Sequence, residues 1–222
     1  MKDSPDAILA PEQAAYLESI EPARDALLAE MERFARDRRQ PISDPEVASF
    51  LAVTARACGA RRIVEVGTNI GYGAIVLARA AGPAAQVVTI ENDAETVGIA
   101  RGYIARAGLE AQIEVRHGDA IAELETFAAG SQEMDLVYID CVKEDYVRYL
   151  ELVVPRLSAR GIIIADNVLW KGLVAKTDVP AKEQARVDAL RAFNRALVAD
   201  VRLRAVVLPF GDGVGYAVRT PV

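Results

Sequence analysis

Four residues in the C-terminal half of this 222-residue chain carry the chemistry that is easiest to name. Asp140 and the pair Asp166-Asn167 offer two carboxylates and an amide carbonyl. That all-oxygen set suits a hard cation such as Mg²⁺, with Ca²⁺ or Mn²⁺ as substitutes. Lys143 stands three residues after Asp140. A lysine beside a cation and an apolar wall has its charged form disfavoured and can take a proton. Earlier in the chain, Glu65-Val-Gly67-Thr68-Asn-Ile-Gly71-Tyr-Gly73 reads as a Gly-rich turn. Glycines there let a ligand approach the backbone, and the start of the following helix favours a negative group. The spacing G-x-x-x-G-x-G is neither the dinucleotide fingerprint nor a P-loop, so it points to a small carboxylate rather than a pyrophosphate. Glu91 follows at about the 20-residue distance from which an acid accepts the two hydroxyls of a ribose. Gly118-Asp119-Ala120 offers an acid and free backbone N–H groups to the edge of a base.

Taken singly, each residue has a plainer use. Asp140 can cap a helix, Asp166-Asn167 can make an Asx turn, Lys143 can sit in solvent and the glycines can serve a tight turn. What gives them weight is where the surrounding elements put them. The apolar runs predict strands at Arg62–Val66, Gln86–Glu91, Gln112–Arg116, Met134–Asp140 and Gly161–Asp166. Helices are predicted between them at Ala74–Ala81, Ala94–Ala107 (closed by Gly108), Ile121–Ala129 and Asp145–Leu157. That alternation means a parallel sheet covered on both faces, and VVTI, LVYI and GIIIA fit strands buried on both sides. Asp140, Asp166 and Asn167 then fall at the carboxyl ends of parallel strands, where open sheets bind ligands.

Ahead of this lies a charged, Ala/Leu-rich stretch with Leu17, Ile20, Leu27, Leu28, Met31 and Phe34 at helical spacing. Pro22 is expected to open a new helix there as its first residue. A further helix is expected from near Ser43, where Ser-Asp-Pro-Glu reads as a cap, to Gly59. Beyond the fifth strand, Val168–Ala181 reads as a loop and Lys182–Ala199 as an amphipathic helix. Val201–Pro209 and Val214–Arg219 flank Gly-Asp-Gly as an antiparallel pair. No repeat or linker is evident, so residues 1–222 are expected to form one domain.

Composition removes other classes. The chain has 26 Lys+Arg against 32 Asp+Glu, a net charge of -6, which argues against a protein held on nucleic acid by phosphate contacts. His117 is the only histidine, so no zinc pair or histidine-rich ligand cluster is available. Cys58 and Cys141 form no C-x-x-C pattern or disulfide framework. The N-terminal MKDSPDAILAPEQ does not read as a signal peptide, and no apolar run reaches the roughly 18 residues of a membrane span. A soluble cytoplasmic protein is expected.

EVGTNIGYG, Glu91, HGDA, IDCVKEDY, ADNVLWKG, the Arg191-Ala-Phe-Asn194 segment and LPFGDG, in that order, resemble the metal-dependent O-methyltransferases. These include catechol and caffeoyl-CoA O-methyltransferases and their bacterial relatives. The likeness runs from about Pro41 to the C-terminus, with residues 1–40 as the variable N-terminal segment. It implies an α/β fold: a Rossmann-like, doubly wound, mostly parallel seven-stranded sheet with an antiparallel C-terminal hairpin and extra N-terminal helices. It implies S-adenosylmethionine as cofactor, Mg²⁺ (or Ca²⁺ or Mn²⁺) as metal, a small phenolic substrate such as a vicinal diphenol, and a homodimer. By the resemblance Glu65, Gly67, Thr68 and Gly73 line the methionine end and Ile42 covers the cofactor. Glu91 holds the ribose, Asp119 and Ala120 border the adenine, and Asp140 touches both cofactor and metal. Asp140, Asp166 and Asn167 match the metal ligands, Lys143 the catalytic lysine, and Trp170 a wall of the substrate pocket.

This chain departs from the pattern at Gly73, where many relatives carry Ser, and at Cys141-Val142, which bears on the shape of the acceptor pocket. Two alternatives stay open. One keeps fold and cofactor and methylates a hydroxylated tRNA base, favoured by Lys171, Lys176 and Lys182. The other is a non-catalytic nucleotide-binding module. The glycine spacing counts against a dehydrogenase.

Overall fold

The computed structural model describes residues 10–22 and 25–221; the expectation drawn from the first residues of the chain lies largely outside these. Three helices lead: α1 (Pro11–Ser19), α2 (Ala26–Arg38) and α3 (Pro45–Cys58). Then β1 (Arg62–Val66), α4 (Tyr72–Ala81), β2 (Gln86–Glu91), α5 (Ala94–Arg106), β3 (Ile113–His117), α6 (Ala120–Ala129), β4 (Met134–Ile139), α7 (Tyr146–Val153) and β5 (Leu157–Ala165) alternate. Helix α8 (Gln184–Ala199) and strands β6 (Leu203–Leu208) and β7 (Val214–Arg219) complete the chain.

The seven strands form one sheet in the order β3-β2-β1-β4-β5-β7-β6. Strands β1 to β5 are parallel, and β7 runs antiparallel to both its neighbours. Successive side chains on a strand point to opposite faces, and the burial follows that rule. Ile63, Leu136, Tyr138, Ile162 and Ile164 pack with α2, α3, α4 and α5. Val64, Val137, Ile139, Ile163 and Ala165 pack with α6, α7 and α8. Both faces are apolar because both are covered, which is why these strands read as continuous hydrophobic runs. Each fully buried Ile or Leu contributes roughly 1.5–3 kcal/mol relative to exposure, so the two layers hold the strand tips in fixed register. The strand order reverses beside β1, and the crevice at that switch is where such sheets bind ligands.

Three local expectations are corrected. Pro22 does not open a helix: α2 starts at Ala26, capped by the Asp25 carboxylate, which accepts from Leu27 N and Leu28 N at 2.9 and 3.1 Å. Ser43 does not cap α3; Asp44 holds the cap position with Pro45 as the first helical residue, and the Ser43 hydroxyl is used elsewhere. The fifth strand starts at Leu157, not Gly161, because Pro155 turns the end of α7 into a tight 3-10 turn (Val154–Arg156) that feeds straight into it. An irregularity between the Met134↔Leu157 and Leu136↔Ile162 pairs absorbs the intervening residues. Helix α7 ends at Val153, four residues before the expected Leu157, and the remaining boundaries fall within about two residues of expectation, as helix ends fray. The expected loop at 168–181 holds one further 3-10 turn, Leu173–Ala175, and a second, Ala181–Glu183, precedes α8.

Candidate active site

A cleft of about 590 Å³ opens along the carboxyl tips of the strands, and a small recess beside it shares Pro41, Ile42, Gly67, Asn69 and Asp140. The Gly-rich turn forms one end. Gly67 has φ +101, and a Cβ there would lie 2.1 Å from the backbone oxygen of Asp140. Only glycine lets the exit of β1 rest on the tip of β4. The turn is pinned from the other side by β2: Gly67 N and Thr68 N donate to Ile90 O at 3.1 and 3.0 Å. Glu91 Oε2 accepts from Asn69 N, and its Oε1 from Asn92 N and Asp93 N, all at 3.0 Å. A carboxylate has about four acceptor positions, so Glu91 keeps capacity for a ligand hydroxyl.

Below the turn runs a buried polar chain. Thr89 Oγ1 donates to Glu65 Oε2 at 2.5 Å, so the Thr68 hydroxyl, 2.6 Å from Thr89 Oγ1, must be the donor in that pair. Glu65 is 1% exposed. Burial, with the charges of Asp140 and Glu91 adding to it and the Thr89 bond opposing, pushes its pKa up to about 8 from an ordinary 4.5. Gly73 faces it: a Cβ at 73 would sit 2.1 Å from Glu65 Oε1. The glycine therefore gives the Glu65 carboxyl its place.

The raised pKa sets a pH dependence. Between about pH 4.5 and 8 the folded chain holds a proton on Glu65 that the unfolded chain has released. Stability from this group is therefore full below that window and falls as pH rises through it. Urea denaturation is expected to show a loss on the order of 2–4 kcal/mol from pH 5 to 8.5. Glu65→Gln, the shape of the protonated acid, is expected to flatten that loss; an unchanged slope would assign the effect to other groups.

The other end of the cleft is acidic. Asp140 follows β4, with its N–H donating to Val66 O at 2.9 Å, and Asp166 follows β5, donating to Ile139 O at 2.9 Å. The two carboxylates thus stand on stepped, adjacent tips. Asp166 is 2% exposed, and its pKa is raised by burial first and by the charge of Asp140 second. Lys143 Nζ donates to Asp140 Oδ1 at 2.7 Å and to the Tyr146 hydroxyl at 2.8 Å. The single proton of that hydroxyl has two carbonyls within reach, Asp166 O at 3.0 Å and Ile139 O at 3.2 Å. Two carboxylates with one ammonium in direct contact leave excess negative charge in a buried corner, which a divalent cation would relieve. Among the described residues no group of three or more His, Cys, Asp or Glu side chains is placed to hold a metal; the third donor would be the Asn167 amide, which lines the same cleft.

Trp170 closes the outer wall. Its Nε1 donates to Glu183 Oε2 at 2.9 Å, and the Arg186 guanidinium stacks 4.7 Å from its ring. Asn167, Trp170 and Lys171 all have left-handed backbone, φ 58, 46 and 55, unusual for bulky residues. The β6–β7 loop holds them there: Leu169 N donates to Asp212 O and Val168 N to Gly213 O, both at 3.0 Å, and the Asp212 carboxylate takes Lys171 N.

The structure therefore brings Ile42, Glu65, Gly67, Thr68, Gly73, Glu91, Asp140, Lys143, Asp166, Asn167 and Trp170 onto the two adjoining cavities. Asp119 and Ala120 lie outside their lining. The Asp119 carboxylate caps α6 by accepting from Ala122 N at 3.0 Å, and Gly118 N donates to Glu91 O at 2.9 Å. Sequence reasoning did not single out Tyr138, Ser43, Tyr146 or Asp212. The one signal that could have found any of them is the spacing of Tyr138, two residues before Asp140 and so on a shared face.

A sequence profile of the O-methyltransferase family matches residues 18–220. Over 187 residues the chain is 36% identical to the catechol O-methyltransferase of Niastella koreensis, covering 83% of each. It is 29% identical over 171 residues to caffeoyl-CoA O-methyltransferase 5 of Nicotiana tabacum, covering 74% of this chain and 71% of that one. Its fold is similar to that of TomG, an O-methyltransferase of Streptomyces achromogenes solved in complex with SAM, with a TM-score of 0.83, 28% identity and 94% and 96% of the two chains covered.

Proposed function

Because the chain belongs to the O-methyltransferase family, in its catechol and caffeoyl-CoA branch, we propose that it moves a methyl group from S-adenosylmethionine to one hydroxyl of a vicinal diphenol with a divalent cation at its acidic corner. The acceptor class is catechol, caffeate, caffeoyl-CoA or a flavonoid, and the cation Mg²⁺, replaceable by Ca²⁺ or Mn²⁺. One convergence carries the reading: Asp140, Asp166, Asn167 and Lys143 line the same cleft as the glycine turn and Glu91.

When bound, S-adenosylmethionine supplies a methyl group on a sulfonium, and a cation held by Asp140, Asp166 and Asn167 lowers the pKa of a facing phenol. The residues of the chain do the rest. Glu91 holds the ribose by accepting one of its hydroxyls, and Asp119 and Ala120 border the adenine. Glu65, Gly67, Thr68 and Gly73 line the methionine end under Ile42, where the N-terminus of α4 favours a carboxylate. Asp140 faces both ligands. As a neutral amine, the form a neighbouring cation would favour, Lys143 Nζ, steered by Asp140 Oδ1 and the Tyr146 hydroxyl, takes the proton of the hydroxyl that reacts. Trp170 forms one wall for the acceptor ring. Holding donor and acceptor at attack distance can supply roughly 7–11 kcal/mol of the barrier.

The tRNA-base alternative needs an uncompensated basic patch. Two basic groups that could join such a patch are compensated, Arg186 by Glu144 and Glu183 and Arg191 by Asp188, and the net charge of -6 also counts against it. Our reading takes residues 1–222 as one methyltransferase domain, with 1–40 as its variable segment, working as a cytoplasmic homodimer. Among the described residues no helix is long and apolar enough to cross a membrane.

The test is methyl transfer from labelled S-adenosylmethionine to catechol, caffeate, caffeoyl-CoA and bulk tRNA, with Mg²⁺ or with chelator. Label on a diphenol that disappears in chelator is the expected result. Full transfer in chelator, or label on tRNA alone, overturns the proposal.

A further inference from the structure

We propose that Tyr138 is a positioning residue that links the segment covering the cofactor site to the Asp166 carboxylate, so that filling one end of the site tightens the other. The inference rests on the metal and cofactor reading above.

The link is a directed hydrogen-bond chain between parts of the protein far apart in sequence. Tyr138 OH donates to Asp166 Oδ2 at 3.2 Å. A phenol has one proton, so the Ser43 hydroxyl, 2.8 Å from the same oxygen, donates to it. All three groups are buried: Ser43 is 7% exposed, Tyr138 1% and Asp166 2%. The remaining carboxylate oxygen, Oδ1, accepts from Asn167 N at 2.7 Å. Asp166 is therefore aimed from two sides, and the side-chain contribution among these bonds comes from Tyr138.

At the far end, Ser43 belongs to the short segment between α2 and α3. Its neighbours Pro41 and Ile42 line both cavities, and Ser43 lines the recess with Glu65 and Thr68. A ligand seated under Ile42 bears on Ser43, and through it on the phenol and the carboxylate. Hydrogen bonds inside a protein polarise one another, so a chain of this kind transmits a change at one end better than isolated pairs do.

The linkage is reciprocal: whatever factor the cofactor adds to metal affinity, the metal adds to cofactor affinity. The experiment is a Mg²⁺ titration of the full chain with and without saturating S-adenosylhomocysteine, followed by calorimetry and by the fluorescence of Trp170, the only tryptophan. For the wild type, S-adenosylhomocysteine is expected to tighten Mg²⁺ binding about tenfold, within the usual range of such couplings. Tyr138→Phe, which keeps the ring, is expected to bring the factor below about twofold without lowering the melting temperature of the unliganded chain by more than a few degrees. Ser43→Ala breaks the chain at the other end and is expected to do the same, while Ser43→Thr, which keeps a hydroxyl, retains the coupling. If Tyr138→Phe does not fold, the Ser43 pair decides. Equal Mg²⁺ affinity with and without S-adenosylhomocysteine in the wild type, or undiminished coupling in the variants, overturns the inference and leaves the functional reading standing. A wild type that binds no Mg²⁺ under either condition overturns both.

Discussion

Replacing Lys143 with Met is expected to slow methyl transfer by about 10²- to 10⁴-fold, the range supplied by a positioned general base, with S-adenosylmethionine affinity within about threefold of the wild type. Lys143 is 7% exposed, and its Nζ is fixed by two short hydrogen bonds, so the amine is held rather than searching. Methionine keeps an apolar stem of the same length, with sulfur in place of one methylene, and removes the nitrogen, so a lost core contact cannot account for a slow enzyme. The check is single-turnover methyl transfer beside calorimetric binding of the cofactor. A variant that binds cofactor normally and still turns over at the wild-type rate would remove Lys143 from the chemistry.

Asp166→Asn is expected to separate stability from function. Asparagine keeps the shape and its one carbonyl oxygen can still accept from Asn167 N, while its amide NH2 faces the Tyr138 oxygen as a donor, and it carries no charge. Asp166 is a buried acid beside a second acid, and burial works against its ionised form. Without metal, the variant is therefore expected to be as stable as the wild type or more so, by about 1–2 kcal/mol, at pH 8 in urea. Its Mg²⁺ affinity is expected to fall by about a hundredfold or more, beyond the 10- to 100-fold typical when only an outer supporting group is lost, and turnover should fall with it. Wild-type Mg²⁺ dependence in this variant would place the cation elsewhere. The expected trade, a firmer fold with a weaker site, is characteristic of groups kept for chemistry.

The parts of this fold legible in the sequence are those decided locally. The runs of Val and Ile between glycines mark strands because burial on both faces demands apolar side chains at every position. The glycine turn is visible because Gly67 must meet the Asp140 carbonyl. The same locality explains the errors. Pro22 and Asp25 both signal a helix start, and the structure uses the one whose carboxylate reaches two free N–H groups. Ser43 has the composition of a cap, yet its hydroxyl turns to a phenol 95 residues away, a choice made by tertiary packing alone. The acidic corner was readable residue by residue, because its oxygen donors end successive strands. The devices that aim those donors, Tyr138, Tyr146 and the Asp212 loop, were not, because their partners come from other elements.

The contact of Gly67 with the Asp140 carbonyl has a practical consequence for recombination. The loop after β1 and the tip of β4 are fitted to each other across 2.1 Å, counted from where a Cβ would stand. Chimeras that exchange residues 62–73 between homologues should survive where the incoming segment keeps glycine at position 67 and fail where it brings a side chain there. What a shuffled segment must respect is therefore the spatial adjacency of β1 and β4, not only order along the polypeptide.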